Sequence, residues 1–539
     1  MKKIVEISKS TFIISLMYSV FLVFGKIVMS ENHINFCDFR LYFSILLTFL
    51  IINFICAALF CLLEKAEEKR NKCDTSPKGY KGKNKYLIVF CIFMILWFPQ
   101  WLAAFPGFFN YDATEIWNQY LNNNFIAQYP ALYSIILVNF IKFSNYFFGS
   151  HMFGIATYVF MQMLISAGVF TYSIYIMNKY NISNKIKIAG IIYYVIHPAI
   201  YLYVLSFTKD SLFTIFLYLS ILLYMELFKE EENFFKNKRW ILLVISDILV
   251  ILLRRNSIYV YFLFYLILIL KFLIKGKNKI KILTIIILPI ILSTILNNYF
   301  AKILNIKSES GLYGMLSVPV MQIAYVYNNN YENLTENQKK EILEIASDEL
   351  IKNYNPEVSD SILYYMNTSK VVEESQKYGK LWLDIGKNNI SAYLNAMIKL
   401  NYGYFYPDAI QKVFLRNDCY ENRTFCRNWF ILETFRNNFD NELIESLKVI
   451  NDYIAGGYIQ EIPIIKYIVS IGALLWILLF AISYSIYKKR KLFLYPSIII
   501  LLLLCTYILG PLVMARYMLI LFYAFPLILA VLLNNEKFS

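Results

Sequence analysis

Long apolar runs constrain the fold of this sequence more than any other feature. Segments such as Leu41–Leu63 and Leu492–Leu509 contain almost no charge, and each approaches the roughly 20 residues that a helix needs to cross a bilayer. Only 17% of the 539 residues are charged, whereas a soluble domain has about 25%. The sequence therefore predicts an all-α polytopic membrane protein whose main surroundings are the lipid bilayer.

The positive net charge has a simple explanation in such a protein. The 52 Lys and Arg residues outnumber the 37 Asp and Glu residues, but they lie in short blocks between the apolar runs. Basic blocks of this kind orient membrane helices, with the positive loops on the cytoplasmic side. A nucleic-acid partner is therefore excluded, and we expect a multi-pass protein of the cell membrane.

The apolar runs give about 12 predicted transmembrane helices. They lie near residues 11–28, 41–63, 86–104, 153–177, 188–205, 211–228, 240–253, 257–274, 282–300, 464–487, 492–509 and 514–533. A further run, 131–148, is long enough to cross, but it carries Asn139, Lys142 and Asn145. If this run does not cross, every strong basic block lies on one side. We therefore predict an interfacial or re-entrant helix on the outer side over 131–148, with both termini cytoplasmic.

This topology divides the chain into four regions. They are 1–85, with two helices and a basic cytoplasmic loop; 86–300, a transmembrane core with the first outer loop 105–130; 301–463, an extracytoplasmic helical domain; and 464–539, with three helices. A capping box, Thr335-x-x-Gln338, predicts a helix start in the third region. Cys419 and Cys426 lie close enough in this region to form a local disulfide.

The first outer loop contains the first candidate catalytic residues. Tyr111 and Asp112 follow a predicted span directly, and Glu115 lies three residues further on. Two acids at this spacing share a helix face, where they could act as a base and its partner or bind a cation together. The alternative is a solvated acid that caps the helix beginning near Thr114.

Two further outer segments carry candidate phosphate ligands. Lys209 and Asp210 form a charged pair in the turn between two predicted spans, and Arg516 lies at the mouth of the last span. Asp210 would also cap the following helix, and Lys209 and Arg516 would also serve as interfacial anchors. Because these cations face the same side as Asp112, we expect a pocket for an anionic lipid head group.

A third outer turn contains Arg254, Arg255 and Asn256. Two arginines on the outer side oppose the positive-inside trend and suggest an anionic ligand, since a guanidinium group binds phosphate with two parallel hydrogen bonds. Asp247 lies seven residues before Arg254, two helical turns away on the same face. A structural ion pair between these two residues is therefore the competing interpretation.

This arrangement resembles the GT-C class of integral membrane glycosyltransferases, and more narrowly a bacterial family of polytopic proteins of unassigned function. The resemblance covers residues from about 86 to the end. It rests on the segments Pro106-Gly107, Tyr111-Asp112, Thr208–Ser211, Leu253–Asn256, Ser317–Ala324, Tyr402–Asp408 and Ala515–Met518. The sequence departs from the pattern at Tyr129, where a His is expected, and at Met321, where a Gln is expected.

The resemblance implies an inverting transfer of a sugar from a polyprenyl-phosphate-linked donor to a surface glycan, lipid or protein. Asp112 would be the general base, and the cations would hold the phosphate. Some members of the class need a divalent cation, so the resemblance implies that a divalent cation could also be a cofactor here; the cysteines show no metal-ligand spacing. A flippase or exporter of lipid-linked glycans and a glycan polymerase or ligase are the alternatives.

Overall fold

The computed structural model describes residues 2–73, 84–109, 111–275, 278–306, 313–409, 445–447, 449–450, 453 and 458–534. Cys419 and Cys426 lie outside these ranges, so the predicted disulfide stays a prediction. The helices up to residue 303 are α1 (Lys2–Glu31), α2 (Phe39–Cys73), α3 (Asn84–Ala103), α4 (Tyr111–Leu121), α5 (Ala131–Phe148), α6 (Met152–Lys179), α7 (Asn184–Ile196), α8 (Pro198–Val204), α9 (Lys209–Lys229), α10 (Glu231–Lys236), α11 (Arg239–Leu253), α12 (Ser257–Lys275) and α13 (Lys279–Ile303).

The described helices after residue 313 form a polar segment and a C-terminal apolar group. They are α14 (Ser317–Asn329), α15 (Glu336–Leu343), α16 (Asp348–Lys352), α17 (Asp360–Leu363), α18 (Thr368–Glu373), α19 (Ser375–Asn388), α20 (Ile390–Phe405), α21 (Ile471–Tyr487), α22 (Leu494–Ile508) and α23 (Leu519–Leu533). A short 3-10 turn, Ala515–Met518, comes directly before α23. The two strands among the described residues are β1 (Phe108–Phe109) and β2 (Ser206–Phe207).

Eight helices of the described residues are long and apolar enough to cross a membrane, which confirms a multi-pass membrane protein. They are Lys9–Glu31, Phe39–Lys69, Asn84–Ala103, Ala131–Phe148, Met152–Lys179, Lys209–Lys229, Lys279–Ile303 and Ala515–Leu533. Seven of them match predicted spans, and the eighth is α5, so its interfacial placement stays a prediction. Three further predicted spans correspond to apolar helices that are shorter than these eight. They are Ser257–Phe272, Ile471–Tyr487 and Leu494–Ile508. The predicted total of 12 is therefore not confirmed.

The span predicted over 188–205 is broken in the middle. Helices α7 and α8 meet at an angle of 56°, and His197 between them has an extended backbone. A residue before proline is forced away from helical angles, and Pro198 is that proline. The His197 ring lies 3.2 Å from the carbonyl oxygen of Ile468, so the break is also held from the C-terminal part of the chain.

Helices α14 to α20 form a separate apolar core. We call this part of the predicted extracytoplasmic region the polar domain. The capping box at the start of α15 is confirmed, because Thr335 Oγ1 accepts from Gln338 N at 3.3 Å and Gln338 Oε1 accepts from Thr335 N at 3.0 Å. This domain contacts the first helical hairpin. Asn395 of α20 bonds both backbone groups of Ile34, accepting from its N–H at 2.7 Å and donating to its carbonyl at 3.0 Å.

The two short strands connect distant parts of the chain near one end of the helix bundle. They pair in parallel, with Phe108 opposite Ser206 and Phe109 opposite Phe207. Gly107 has a φ of +135°, and a Cβ atom there would lie 2.6 Å from Val159 Cγ2, so the turn into β1 requires glycine. The pairing brings the start of α4 next to the start of α9, which positions the charged residues of both.

Candidate functional site

Asp112 lies in the first turn of α4, and its buried carboxylate contacts two cations. Its Oδ2 accepts a hydrogen bond from Lys209 Nζ, and Arg516 Nη1 lies 3.5 Å from the same oxygen. Burial by itself would raise the pKa of this carboxyl, but the positive charges of Arg516 and Lys209 outweigh burial and hold the pKa below its ordinary value. Asp112 is therefore ionised in this arrangement.

Asp210 is the second carboxylate of the site and is fully buried at the start of α9. Thr208 caps this helix by accepting from Asp210 N at 3.3 Å, which leaves the Asp210 carboxylate for other partners. Arg254 Nη1 lies 2.5 Å from Asp210 Oδ1, and Arg516 Nε lies 3.7 Å from Asp210 Oδ2. Arg516 therefore links the two carboxylates.

These five residues form what we call the charged cluster: Asp112, Lys209, Asp210, Arg254 and Arg516. Three cationic and two anionic side chains leave one positive charge in excess. Its members come from α4, α9, the end of α11 and the turn before α23. A site with excess positive charge and reduced contact with water attracts an anion strongly.

Aromatic rings surround the Arg254 guanidinium group. Its central carbon lies 4.5 Å from the ring centroid of Tyr507, 4.7 Å from that of Tyr517 and 5.5 Å from that of Phe213. Lys209 Nζ lies 5.1 Å from the ring centroid of Tyr129. Such cation–π contacts hold a cation in a site from which water is excluded.

The structure brings five of the nine predicted site residues together and leaves the others outside the charged cluster. Arg255 is exposed and makes no ion pair with any described residue. Glu115 is partly buried one helical turn beyond Asp112, without an ion pair in the described part of the chain. Asn256 donates at 3.2 Å to the Oγ1 of Thr506, which is not a member of the cluster. The side chain of Tyr111 lies outside the described part.

The alternative ion pair between Asp247 and Arg254 is wrong. Asp247 is fully buried between helices, where Ser220, Tyr224 and Tyr265 donate hydroxyl hydrogen bonds to its carboxylate. Arg254 has an extended backbone beyond the end of α11, so its side chain leaves the helix face that carries Asp247 and reaches Asp210 instead.

One acid near the charged cluster has no counterpart in the sequence-based prediction. Asp360 begins α17 in the polar domain, 248 positions after Asp112 and 156 before Arg516 in the numbering of the chain, and it interacts electrostatically with both. Nothing in the local sequence separates Asp360 from the other acids of the domain. Only the folded arrangement identifies it.

The donor set does not suit a divalent cation. In the charged cluster each carboxylate is neutralised by cationic side chains, whereas Mg²⁺ or Ca²⁺ needs several free oxygen ligands. No three His, Cys, Asp or Glu side chains converge as a metal site in the residues that the structure describes.

Comparison with known proteins identifies a family whose function is unknown. A model for a family of unknown function, DUF6020, matches residues 120–538. The chain belongs to DUF6020. No curated protein and no solved structure matches it. The match to DUF6020 contains Lys209, Arg254 and Arg516, whereas Asp112 lies before its first residue. The description of DUF6020 names no reaction, so function has to be argued from the site.

Proposed function

We propose that this DUF6020 protein is a GT-C-type membrane glycosyltransferase with about 12 spans. It would transfer a sugar from a polyprenyl-phosphate donor to a surface glycan, lipid or protein. The charged cluster is the observation that carries the proposal. It gathers three cations from separate parts of the chain in one largely buried place, as binding of a lipid-linked phosphate requires.

The positions of the cations in the fold favour a lipid-linked donor. Lys209 begins a candidate span, Arg254 follows an apolar helix and Arg516 lies in the turn before the last helix. A phosphate on an isoprenoid chain would reach cations at helix ends while its chain stays among the apolar helices. By the positive-inside argument this end of the bundle is the outer one, where nucleotide sugars are absent.

The transfer itself needs positive charge at the leaving phosphate. The acceptor hydroxyl oxygen bonds to the anomeric carbon, and the bond from that carbon to the phosphate oxygen breaks with its electron pair on the phosphate. Lys209, Arg254 and Arg516 would stabilise this growing negative charge, an effect that commonly contributes the largest share of catalysis. The anomeric configuration inverts because attack and departure occur on opposite faces of the sugar.

Asp112 has a different role before the donor binds. While Lys209 and Arg516 hold its pKa low, its carboxylate accepts protons weakly, and a general base works best with a pKa near the working pH. Asp112 would therefore hold the two cations in position for the phosphate. The base role expected for Asp112 from the resemblance requires that the phosphate first draw these cations away.

A transfer assay tests the proposal. Purified protein in liposomes would receive radiolabelled polyprenyl-phosphate hexoses, with membranes from a strain lacking the gene as the acceptor source. We expect labelled product from the wild type, none from Asp112→Asn, and normal product from the control Asp384→Asn, a partly exposed acid of the polar domain that pairs with Lys387. Normal product from a membrane-inserted Asp112→Asn protein would contradict the proposal.

One observation favours the flippase or exporter alternative. Asp247 is a buried acid within α11, surrounded by hydroxyl groups, and acids inside membrane helices are typical of transport pathways. In that case Asp247→Asn would leave lipid-linked intermediates on the inner leaflet, whereas Asp112→Asn would not. A polymerase or ligase would instead show shorter glycan chains by mass analysis when the gene is deleted.

A further inference from the structure

The polar domain contacts the membrane helices close to the charged cluster. The backbone N–H of Ser359 donates to the carbonyl oxygen of Pro511 at 2.8 Å, and Ser359 is fully buried. Pro511 lies in the loop that leads to Arg516. This contact fixes the position of the next residue, Asp360, relative to the loop that supplies one of the three cations.

Asp360 differs from the two carboxylates of the charged cluster in its partners. Asp112 and Asp210 are buried and paired with cations at short range. Asp360 is partly exposed, and its carboxylate makes no hydrogen bond or ion pair with another residue in the described ranges. Its oxygens are therefore available to a ligand that enters between the polar domain and the helix ends.

Two charged groups face Asp360 from the elements packed near it. They are Arg516, from the turn before α23, and Asp112, from α4. On its own segment the nearest acid in sequence is Glu357, whose carboxylate accepts from Tyr402 OH at 3.4 Å. Burial raises the pKa of the Asp360 carboxyl to about 6; the positive charge of Arg516 opposes this rise, and the negative charge of Asp112 adds to it.

Two buried polar atoms lack a hydrogen-bond partner among the described residues, one next to Asp360 in sequence and one in the charged cluster. They are the hydroxyl of Ser359 and Asp210 Oδ2; the latter has only the Arg516 Nε cation, 3.7 Å away. Buried polar atoms are normally satisfied, so unpaired ones at a candidate site point to a ligand. An acceptor that presents hydroxyl groups has the chemistry to satisfy both.

We propose that Asp360 is the general base that removes the proton from the acceptor hydroxyl, and that the acceptor binds between the polar domain and the charged cluster. This inference rests on the proposed glycosyl transfer. The proton moves from the acceptor oxygen to a carboxylate oxygen of Asp360 as that acceptor oxygen bonds to the anomeric carbon. The phosphate leaves with the electron pair of the broken bond, so charge and atoms balance.

Asp112 and Asp360 have different roles because their surroundings differ. A carboxylate that pairs with Lys209 and Arg516 has a lowered pKa and accepts a proton poorly while these ion pairs last. Asp360 can take up a proton with both cations still in place. General-base assistance contributes roughly 100-fold to 10,000-fold in rate, which sets the size of the effect expected when the base is removed.

Steady-state kinetics of the full-length protein in liposomes test the inference. Asp360→Asn should lower kcat by about 100-fold or more and leave the KM for the polyprenyl-phosphate hexose unchanged. Asp360→Glu should retain part of the activity, and the matched control Asp384→Asn should equal the wild type. Wild-type kcat should fall tenfold per pH unit below about 6, and this acid limb should be absent from the residual activity of Asp360→Asn.

The outcomes separate the inference from the proposed function. Wild-type transfer together with a normal kcat for Asp360→Asn would overturn the base role and leave the transferase intact. A raised donor KM with normal kcat would also overturn it, because that result makes Asp360 a donor-positioning residue. If Asp360→Asn fails to fold, the acid limb of the wild type and the activity of Asp360→Glu still decide. Absence of transfer by the wild type would overturn the proposed function itself.

Discussion

Arg254 pairs with Asp210 across two helices, with 2.5 Å between Nη1 and Oδ1, although its own helix offers Asp247 two turns earlier. The pairing joins the end of α11 to the start of α9. Asp247 instead accepts hydrogen bonds from a separate set of hydroxyl groups. Each of the two buried acids therefore has its own partners, and their mutational effects should be independent.

A double-mutant cycle should show this independence. Arg254→Gln alone removes the nearer of the two cations that pair with the buried Asp210 carboxylate and leaves only Arg516, 3.7 Å away; loss of a partner from a buried pair costs up to about 3–5 kcal/mol. Adding Asp210→Asn should recover part of that loss, with a coupling energy of about 0.5–3 kcal/mol. Adding Asp247→Asn should recover nothing. Thermal unfolding in detergent of the wild type, the three single variants and the two double variants gives the coupling energies, and recovery by Asp247→Asn would contradict the observed pairing.

Arg254 and Arg255 should respond differently to the same substitution. Arg254→Ala removes a largely buried cation from the charged cluster, whereas Arg255→Ala removes an exposed side chain without an ion pair among the described residues. We expect lower thermal stability and weaker phosphate binding for Arg254→Ala, and values within about 0.5 kcal/mol of wild type for Arg255→Ala. Equal losses in both variants would show that the turn acts as one unit.

The ring of Tyr507 should matter more than its hydroxyl group. The ring lies 4.5 Å from the Arg254 guanidinium carbon, and the hydroxyl has no hydrogen-bond partner in the part of the chain that is described. Tyr507→Phe should therefore be nearly neutral, whereas Tyr507→Leu should cost about 0.5–2 kcal/mol of stability. Chemical denaturation of the two variants tests this, and a larger loss in Tyr507→Phe would be the contrary result.

Acid should weaken the contribution of Asp112 to stability. Its pKa is lower in the folded protein than the ordinary value of 3.8, so the contribution is complete above that value and is lost as the pH falls toward the folded-state pKa. Asp112→Asn should thus reduce the melting temperature at pH 7, and the difference from wild type should narrow below about pH 4. A difference that stays constant with pH would show that the ion pairs do not stabilise the fold.

The sequence predicted most of the charged cluster because topology alone constrains it. Lys209, Arg254 and Arg516 lie at helix ends that face the same side as Asp112, and no packing detail is needed to infer that. The contribution of Asp360 could not be predicted, since it depends on how the polar domain contacts the loop at Pro511. Contacts between distant segments leave no local pattern in a single sequence.

Two other differences have equally physical causes. Helical spacing correctly puts Asp247 and Arg254 on one face, but Arg254 lies beyond the helix end, where its backbone is extended. The extended backbone at Arg254 also directs its side chain away from that of Arg255. The break before Pro198, in contrast, agrees with a local rule, because a residue that precedes proline is disfavoured in helical conformation.

Binding of a lipid phosphate tests the central claim most directly. Isothermal titration of the detergent-solubilised protein with farnesyl phosphate, using farnesol as the control without phosphate, measures the dissociation constant. We expect saturable binding of farnesyl phosphate but not of farnesol, weakened roughly 10-fold to 150-fold by Arg516→Ala or Lys209→Ala. Equal binding of both lipids, or unchanged affinity in both variants, would show that the charged cluster does not bind phosphate.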